Sequence, residues 1–179
     1  MGTLLHRMAC PEPGVSRHLI IDSSPSLTCL SHLSSDGRYA ALKVSSAKYT
    51  DTAKDEIMLL MKARQFAHRT VVSRHGDPEM IEHQGARHVV SILDYFSTNG
   101  RYKNDSHVCM VLEPLGETLL NFLDRYRTRY GGHGELVGVP MNLVKVIAKQ
   151  ILMGLQYLHD ECGLVHTDIK PENIRTHHL

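Results

Sequence analysis

The sequence has no apolar run approaching the ~18 residues that a membrane-spanning helix needs. Its first residues, Met1-Gly2-Thr3-Leu4-Leu5-His6, lack the sustained apolar core of a secretion signal. His6 stands where a myristoylation signal has Ser or Thr. Neither charge is in excess: 20 Lys and Arg against 19 Asp and Glu leave a net +1, so no global field argues for nucleic acid or an anionic membrane as partner. The four cysteines, Cys10, Cys29, Cys109 and Cys162, form no C-x-x-C pair. That argues against a zinc site or disulfide framework and for a reducing compartment. No self-similarity recurs at a period of about 20–50 residues, which excludes a solenoid. A soluble intracellular protein is expected, with no membrane and no direct nucleic acid among its partners.

What is present is enough chain, 179 residues, for one domain with a real core. Residues 1–26 are poorly patterned, with Pro11, Pro13, Gly14 and Ser23-Ser24-Pro25-Ser26 reading as loop. Short strands are read at 19–21 and 27–33, and Ser34-Ser35-Asp36-Gly37 is a turn. Residues 39–44 form an apolar run that carries one charge, Lys43. A lysine inside a strand is costly without a partner, so it ends the strand at a surface or has a task. Thr52-Ala53-Lys54-Asp55 resembles a capping box, and Ile57, Leu60, Met61 and Arg64 follow at helical spacing. A helix over 51–64 could aim Glu56 back at Lys43; the plain alternative is a solvent-facing glutamate.

Residues 65–87, polar and rich in His and Arg, read as a long loop. Strands at 89–96 and 107–112, separated by Asn99-Gly100 and Asn104-Asp105, read as an antiparallel hairpin. Glu113-Pro114-Leu115-Gly116 reads as a linker. Leu119, Leu120, Phe122, Leu123 and Tyr126 then mark a helix that Gly131-Gly132-His133-Gly134 breaks. Arg125, Arg127 and Arg129 are read as its solvated face. Leu143, Ile147, Ile151, Leu155 and Leu158 mark the clearest helix, over 142–161, with Asn142 as N-cap and Gly163 just past its end. The expected fold is α+β, a small β-rich lobe and a mainly helical lobe joined at 113–116. His177 and His178 read as a polar tail rather than a metal site.

After the last helix comes His166-Thr167-Asp168-Ile169-Lys170-Pro171-Glu172-Asn173. It places a carboxylate, a cation and an amide oxygen on one short loop. Phosphoryl transfer uses those three groups to orient a hydroxyl, neutralise the moving phosphate and hold a metal.

These stretches resemble the protein kinases. Ala41-Leu42-Lys43 is similar to their strand-3 A-x-K, Glu56 to their helix-C glutamate, and 166–173 to their catalytic loop. Tyr49-Thr50-Asp51-Thr52-Ala53-Lys54-Asp55-Glu56-Ile57, His107-Val108-Cys109-Met110-Val111 followed by Glu113, and Thr167 in place of an arginine resemble the SR-protein kinases, of fungal type. The similarity covers about residues 38–174. It implies a kinase-like fold: an unpatterned segment 1–26, a small lobe 27–112 with a degenerate Gly-rich loop, a hinge 113–116, a partial helical lobe 117–174 and an unrelated tail 175–179.

The same resemblance implies an ATP-dependent Ser/Thr kinase that uses Mg²⁺ and phosphorylates Arg-Ser-rich splicing proteins in cytoplasm and nucleus. Asp168 and Lys170 would be catalytic and Asn173 would hold the metal. Lys43, positioned by Glu56, would contact phosphates, while Ala41, Leu112, Glu113 and Leu115 would surround the adenine. His166 would pack beneath the loop. Thr167 implies that no loop phosphate is read at that position. The chain departs from the pattern in three places: 21–33 holds no glycine, Arg175 replaces an apolar residue, and the Asp-Phe-Gly motif does not occur. A truncated, poorly soluble and impaired product is therefore expected, and the alternative function is a non-catalytic pseudokinase-like interaction module. A small-molecule phosphotransferase is disfavoured by Lys170.

Overall fold

The structure is a computed structural model that describes residues 19–20, 26–32, 39–72, 75, 77–99, 106–130 and 138–177. Most of 1–25, the turns at 34–37 and 100–105, the break at 131–134 and residues 178–179 lie outside the described residues. In chain order the elements are β1 (Leu19–Ile20), β2 (Ser26–His32), β3 (Tyr39–Ser45), α1 (Thr50–Gln65), β4 (His68–Val72), β5 (Pro78–Glu82), β6 (Ile92–Asn99), β7 (Ser106–Leu112), β8 (Leu115–Thr118), α2 (Leu119–Tyr130), α3 (Met141–Gln156) and β9 (Arg175–His177). They fall into two compact units, one from the residues up to 61 with 90–114, the other from 62–89 with 115 onward.

The first unit is an antiparallel sheet in the order β1-β2-β3-β7-β6. Alternation along β3, β6 and β7 gives this part of the sheet two apolar faces. Val108, Met110 and Ile92 are buried against Ala53 and Ile57 of α1. On the opposite face Ala40 and Val111 are buried with Leu42 and Phe96 against them. Each such aliphatic side chain contributes about 1.5–3 kcal/mol when fully buried. Lys43 stands opposite Met110, and Ala41 opposite Leu112, so both share the face that α1 covers.

Helix α1 begins earlier than the capping-box reading implies. A 3-10 turn at Ala47–Tyr49 runs directly into it, and Thr50 Oγ1 donates to Ala47 O at 2.8 Å. Thr52 and Asp55 therefore lie inside the helix, past its start at Thr50, and do not cap it. Asp51 in the first turn and Lys62 and Arg64 in the last complement the helix dipole.

In the second unit the reading of 65–87 as a loop is corrected. β4 and β5 form a hairpin with Arg69 opposite Ile81 and Val71 opposite Glu79, and a 3-10 turn follows at Gln84–His88. Each face of the ribbon mixes polar and apolar side chains, Arg69 and Glu79 with Val71 and Ile81 on one and His68, Thr70 and Glu82 with Val72 and Met80 on the other, and that mixture hides the period-2 signal. The turn docks on α3 at Gly85, where a Cβ would collide with the Met153 carbonyl oxygen and stand 2.6 Å from Tyr157 Cβ. β6 accordingly starts at Ile92 rather than 89.

Helix α3 starts at Met141 with Pro140, not Asn142, as its cap residue. Leu143 and Val144 both donate to Pro140 O, at 2.9 and 3.1 Å, so the proline carbonyl opens the helix without a side-chain cap. The helical run continues as a π turn over Tyr157–Glu161. It stops at Gly163, whose φ of 59° suits a residue without Cβ. Leu164 N–H closes the end on Leu158 O at 2.8 Å. The core here is Ala63, Tyr157, Leu158 and Cys162, with Ala86, Val89 and Leu164 against it. The Tyr157 hydroxyl donates to Ala63 O. Burial raises its pKa far above the ordinary phenol value, with Cys162 adding to the shift. The linker shortens to Glu113-Pro114, because β8 pairs with β9, Leu115 opposite His177 and Thr118 opposite Arg175.

Candidate functional site

The first unit brings Lys43 and Glu56 together. Lys43 Nζ donates to both carboxylate oxygens of Glu56, at 2.9 and 3.0 Å. The lysine side chain is 18% exposed and the glutamate 39%, so the pair is partly shielded from water and anchored on two packed elements. A lysine on the covered face of a strand needs such a partner. The carboxylate also fixes where the ammonium points, which a flexible four-carbon stem cannot do alone.

The remaining residues of this group lie around the end of β7. Ala41 and Leu112 are cross-strand partners, and Leu112 packs against the core under α1. Glu113 is clamped to the strand start beside it: its N–H donates to Ser91 O at 3.1 Å and its Oε1 accepts from Ser91 N–H at 2.8 Å. Ser91 was not among the residues singled out from sequence. No sequence signal pointed to it: the register from Asn99 opposite Ser106 to Asp94 opposite Val111 would set Ile92 across from Glu113, and only the irregularity between Ile92 and Asp94 brings Ser91 there. Leu115 belongs to the second unit, in β8.

The second unit brings Asp168, Lys170 and Asn173 together. Lys170 Nζ lies 3.0 Å from Asp168 Oδ2. Asn173 Nδ2 donates to Asp168 Oδ2 at 2.8 Å and to Asp168 O at 2.9 Å. The amide nitrogen is thus committed to Asp168, and Oδ1 is the hard oxygen donor of the same side chain. The lysine bond, then the asparagine bond and the positive side of His166, hold the Asp168 carboxyl below the ordinary aspartate range. All four side chains are exposed, His166 included. The expectation that His166 packs beneath the loop is therefore corrected: among the described residues nothing buries it, and its Nδ1 faces Asp168 N–H at 3.3 Å.

Thr167 carries the loop's unusual geometry. Its φ is 63°, and Asp168 N–H bonds back to His166 O at 2.9 Å, which makes a γ-turn centred on Thr167. Left-handed backbone is unfavourable for a β-branched residue, by about 1–2 kcal/mol. Pro171 then opens a 3-10 turn over Pro171–Asn173 that folds Asn173 back over Asp168.

Among the described residues no group of three His, Cys, Asp or Glu is arranged to hold a metal ion. No helix among them is long and apolar enough to cross a membrane. Asn173 Oδ1 and the Asp168 carboxylate suit Mg²⁺ chemically but make only part of a six-oxygen shell. Cys109 and Cys162 are buried. A groove of about 300 Å³ opens beside the β4–β5 hairpin, lined by residues including Arg69, His83 and Gln156. It contains none of the residues above.

Comparison with known proteins agrees with this chemistry. The protein kinase domain family model matches residues 30–178. Protein kinase dsk1 of Schizosaccharomyces pombe is 45% identical over 139 residues, 76% of this chain and 21% of the relative. Serine/threonine-protein kinase SKY1 of Saccharomyces cerevisiae is 40% identical, covering 70% of this chain and 14% of its own. Human SRSF protein kinase 3 is 42% identical over 76% of this chain and 20% of its own. The chain thus spans about a fifth or less of the length of these relatives. Among solved structures, the kinase domain of PF14_0431 superposes with a TM-score of 0.64 at 23% identity, covering 97% of this chain and 44% of that one. That likeness establishes the fold, an incomplete version of the kinase architecture. A match over most of the chain and a shared fold place it in the protein kinase domain family, with SR-protein kinases among its relatives.

Proposed function

We propose that this chain carries the nucleotide-binding and catalytic-loop elements of an ATP-dependent serine/threonine kinase acting on Arg-Ser-rich splicing proteins in cytoplasm and nucleus. The observation that supports this most is the Asp168 carboxylate, held by Lys170 and Asn173. An ionised, hydrogen-bonded carboxylate can accept a hydrogen bond from a serine hydroxyl and orient its oxygen. In the transfer the serine Oγ–P bond forms, the bond from the γ-phosphorus to the bridging oxygen breaks, and the serine proton leaves through Asp168. Lys170 offsets charge on the moving group. Lys43, oriented by Glu56, binds the α/β-phosphates. Ala41, Leu112, Glu113 and Leu115 bind the adenine. Asn173 Oδ1 supplies one ligand to Mg²⁺, whose role is to neutralise phosphate charge.

The test is phosphate transfer from ATP with Mg²⁺ to an Arg-Ser peptide, with Asp168→Ala as control. Transfer that falls at least about 1,000-fold in the variant supports the reading. A second reading, a non-catalytic interaction module, is favoured by the absence of glycine in 21–33. Glycine there would let backbone N–H groups approach phosphates closely. Peptide binding that needs no ATP, without transfer, is its expected signature.

A further inference from the structure

The ladder between β6 and β7 ends irregularly. Ile92 and Leu112 are in register, so Ser91 and Glu113 come next, facing each other. Glu113 N–H donates to Ser91 O at 3.1 Å, one half of an ordinary antiparallel pair. The return bond is made differently: Ser91 N–H goes to Glu113 Oε1 at 2.8 Å. A side-chain carboxylate receives the donor that a regular ladder gives to a main-chain carbonyl. Pro114 follows at once, and it has no N–H with which to extend the ladder. The carboxylate and the proline together end the sheet at residue 113. A charged acceptor makes that clamp stronger than the main-chain bond it replaces.

We propose that the Glu113 carboxylate is a positioning group for nucleotide selection. By clamping Ser91 it sets the orientation of the Glu113-Pro114 main chain, and through it the preference for adenine over guanine. The inference rests on the nucleotide-binding reading above. Adenine presents an amino donor where guanine presents a carbonyl acceptor, so a linker carbonyl held at a defined angle separates the two bases. Free to tilt, the same carbonyl no longer meets the amino group at that angle, and the discrimination fades; Pro114 leaves this peptide no N–H to offer instead.

The test compares ATP and GTP binding by calorimetry, with Mg²⁺, to the full chain and to Glu113→Ala, Glu113→Asp and Glu113→Gln, with amide exchange at Ser91 read in parallel. Alanine removes the acceptor, aspartate keeps the charge but is one methylene short, and glutamine keeps an acceptor at the right reach. Alanine and aspartate are expected to weaken ATP binding about tenfold, as misplacing one hydrogen-bond acceptor for the adenine amino group does. They should narrow the ATP:GTP ratio by a similar factor and speed exchange at Ser91. Glutamine should keep most of the ratio. If the alanine variant does not fold, the aspartate variant carries the comparison. A wild-type chain that binds neither nucleotide removes the nucleotide reading itself. A wild type that prefers ATP, with aspartate or alanine variants that prefer it equally, overturns the clamp alone. So does a glutamine variant as unselective as alanine.

Discussion

Two groups of polar residues carry the proposed chemistry, and they are held in opposite ways. Lys43 and Glu56 are 13 residues apart in sequence and meet because α1 packs its Ala53 and Ile57 onto the sheet. Asp168, Lys170 and Asn173 lie within six consecutive residues, bond to one another and stay exposed. The first arrangement inherits its precision from a hydrophobic core. The second makes its own, from a γ-turn, a proline and two side-chain bonds. Disturbing the core should therefore loosen the first group and spare the second, and disturbing the loop should do the reverse.

The largest separation is expected from Ile57→Ala. The residue is 5% exposed, and such a truncation costs about 2–5 kcal/mol. Urea unfolding of the first unit should show that loss, while the titration midpoint of Asp168, followed by NMR, stays in place. A moved midpoint would mean that the loop depends on the core after all. Next comes Gly85→Ala, which tests whether the second unit also has a rigid joint. The added methyl meets the Met153 carbonyl and Tyr157 Cβ, and overpacking of this kind costs about 1–3 kcal/mol. Faster amide exchange over 84–88 is expected; unchanged exchange and stability would show that the turn can lift away without loss.

Within the loop, Thr167→Gly should relieve the left-handed strain and raise stability by about 1 kcal/mol at most, because glycine's own backbone entropy takes back part of the gain. The smallest effect is Lys170→Met, read as a titration. Asp168 has a lowered folded-state pKa, so its contribution to stability is present above the ordinary aspartate range and is lost as pH falls through the lowered value. Removing the lysine, the main cause, should move the midpoint up toward ordinary aspartate. A midpoint that ignores the substitution would assign the shift to Asn173 instead.

Much of this was legible in the residues. The strands at 27–33, 39–44 and 107–112 appear within a residue or so of their observed limits, because apolar alternation reports a half-buried sheet directly. The end of the long helical run at Gly163 was also legible, since a positive φ selects glycine. The hairpin at 68–82 was not, because each of its faces mixes polar and apolar side chains and neither shows a period of two. The helix starts were read to within a residue, but their capping residues were misassigned. Side-chain caps leave a sequence trace, whereas a 3-10 lead-in and a proline carbonyl leave little.

The sequence by itself determined the chemistry of the loop at 166–173, because every group it uses is within reach of a few residues and local backbone rules suffice to join them. It also supplied the motif order on which membership of the kinase family rests. Only the tertiary structure decided that Glu56, rather than solvent, meets Lys43, since that pairing depends on which face of α1 the sheet buries. It alone decided that the Glu113 side chain closes on Ser91, a bond set by strand register between residues 22 positions apart. Local order can be read from neighbours along the chain; long-range pairing waits for the apolar faces to choose their partners.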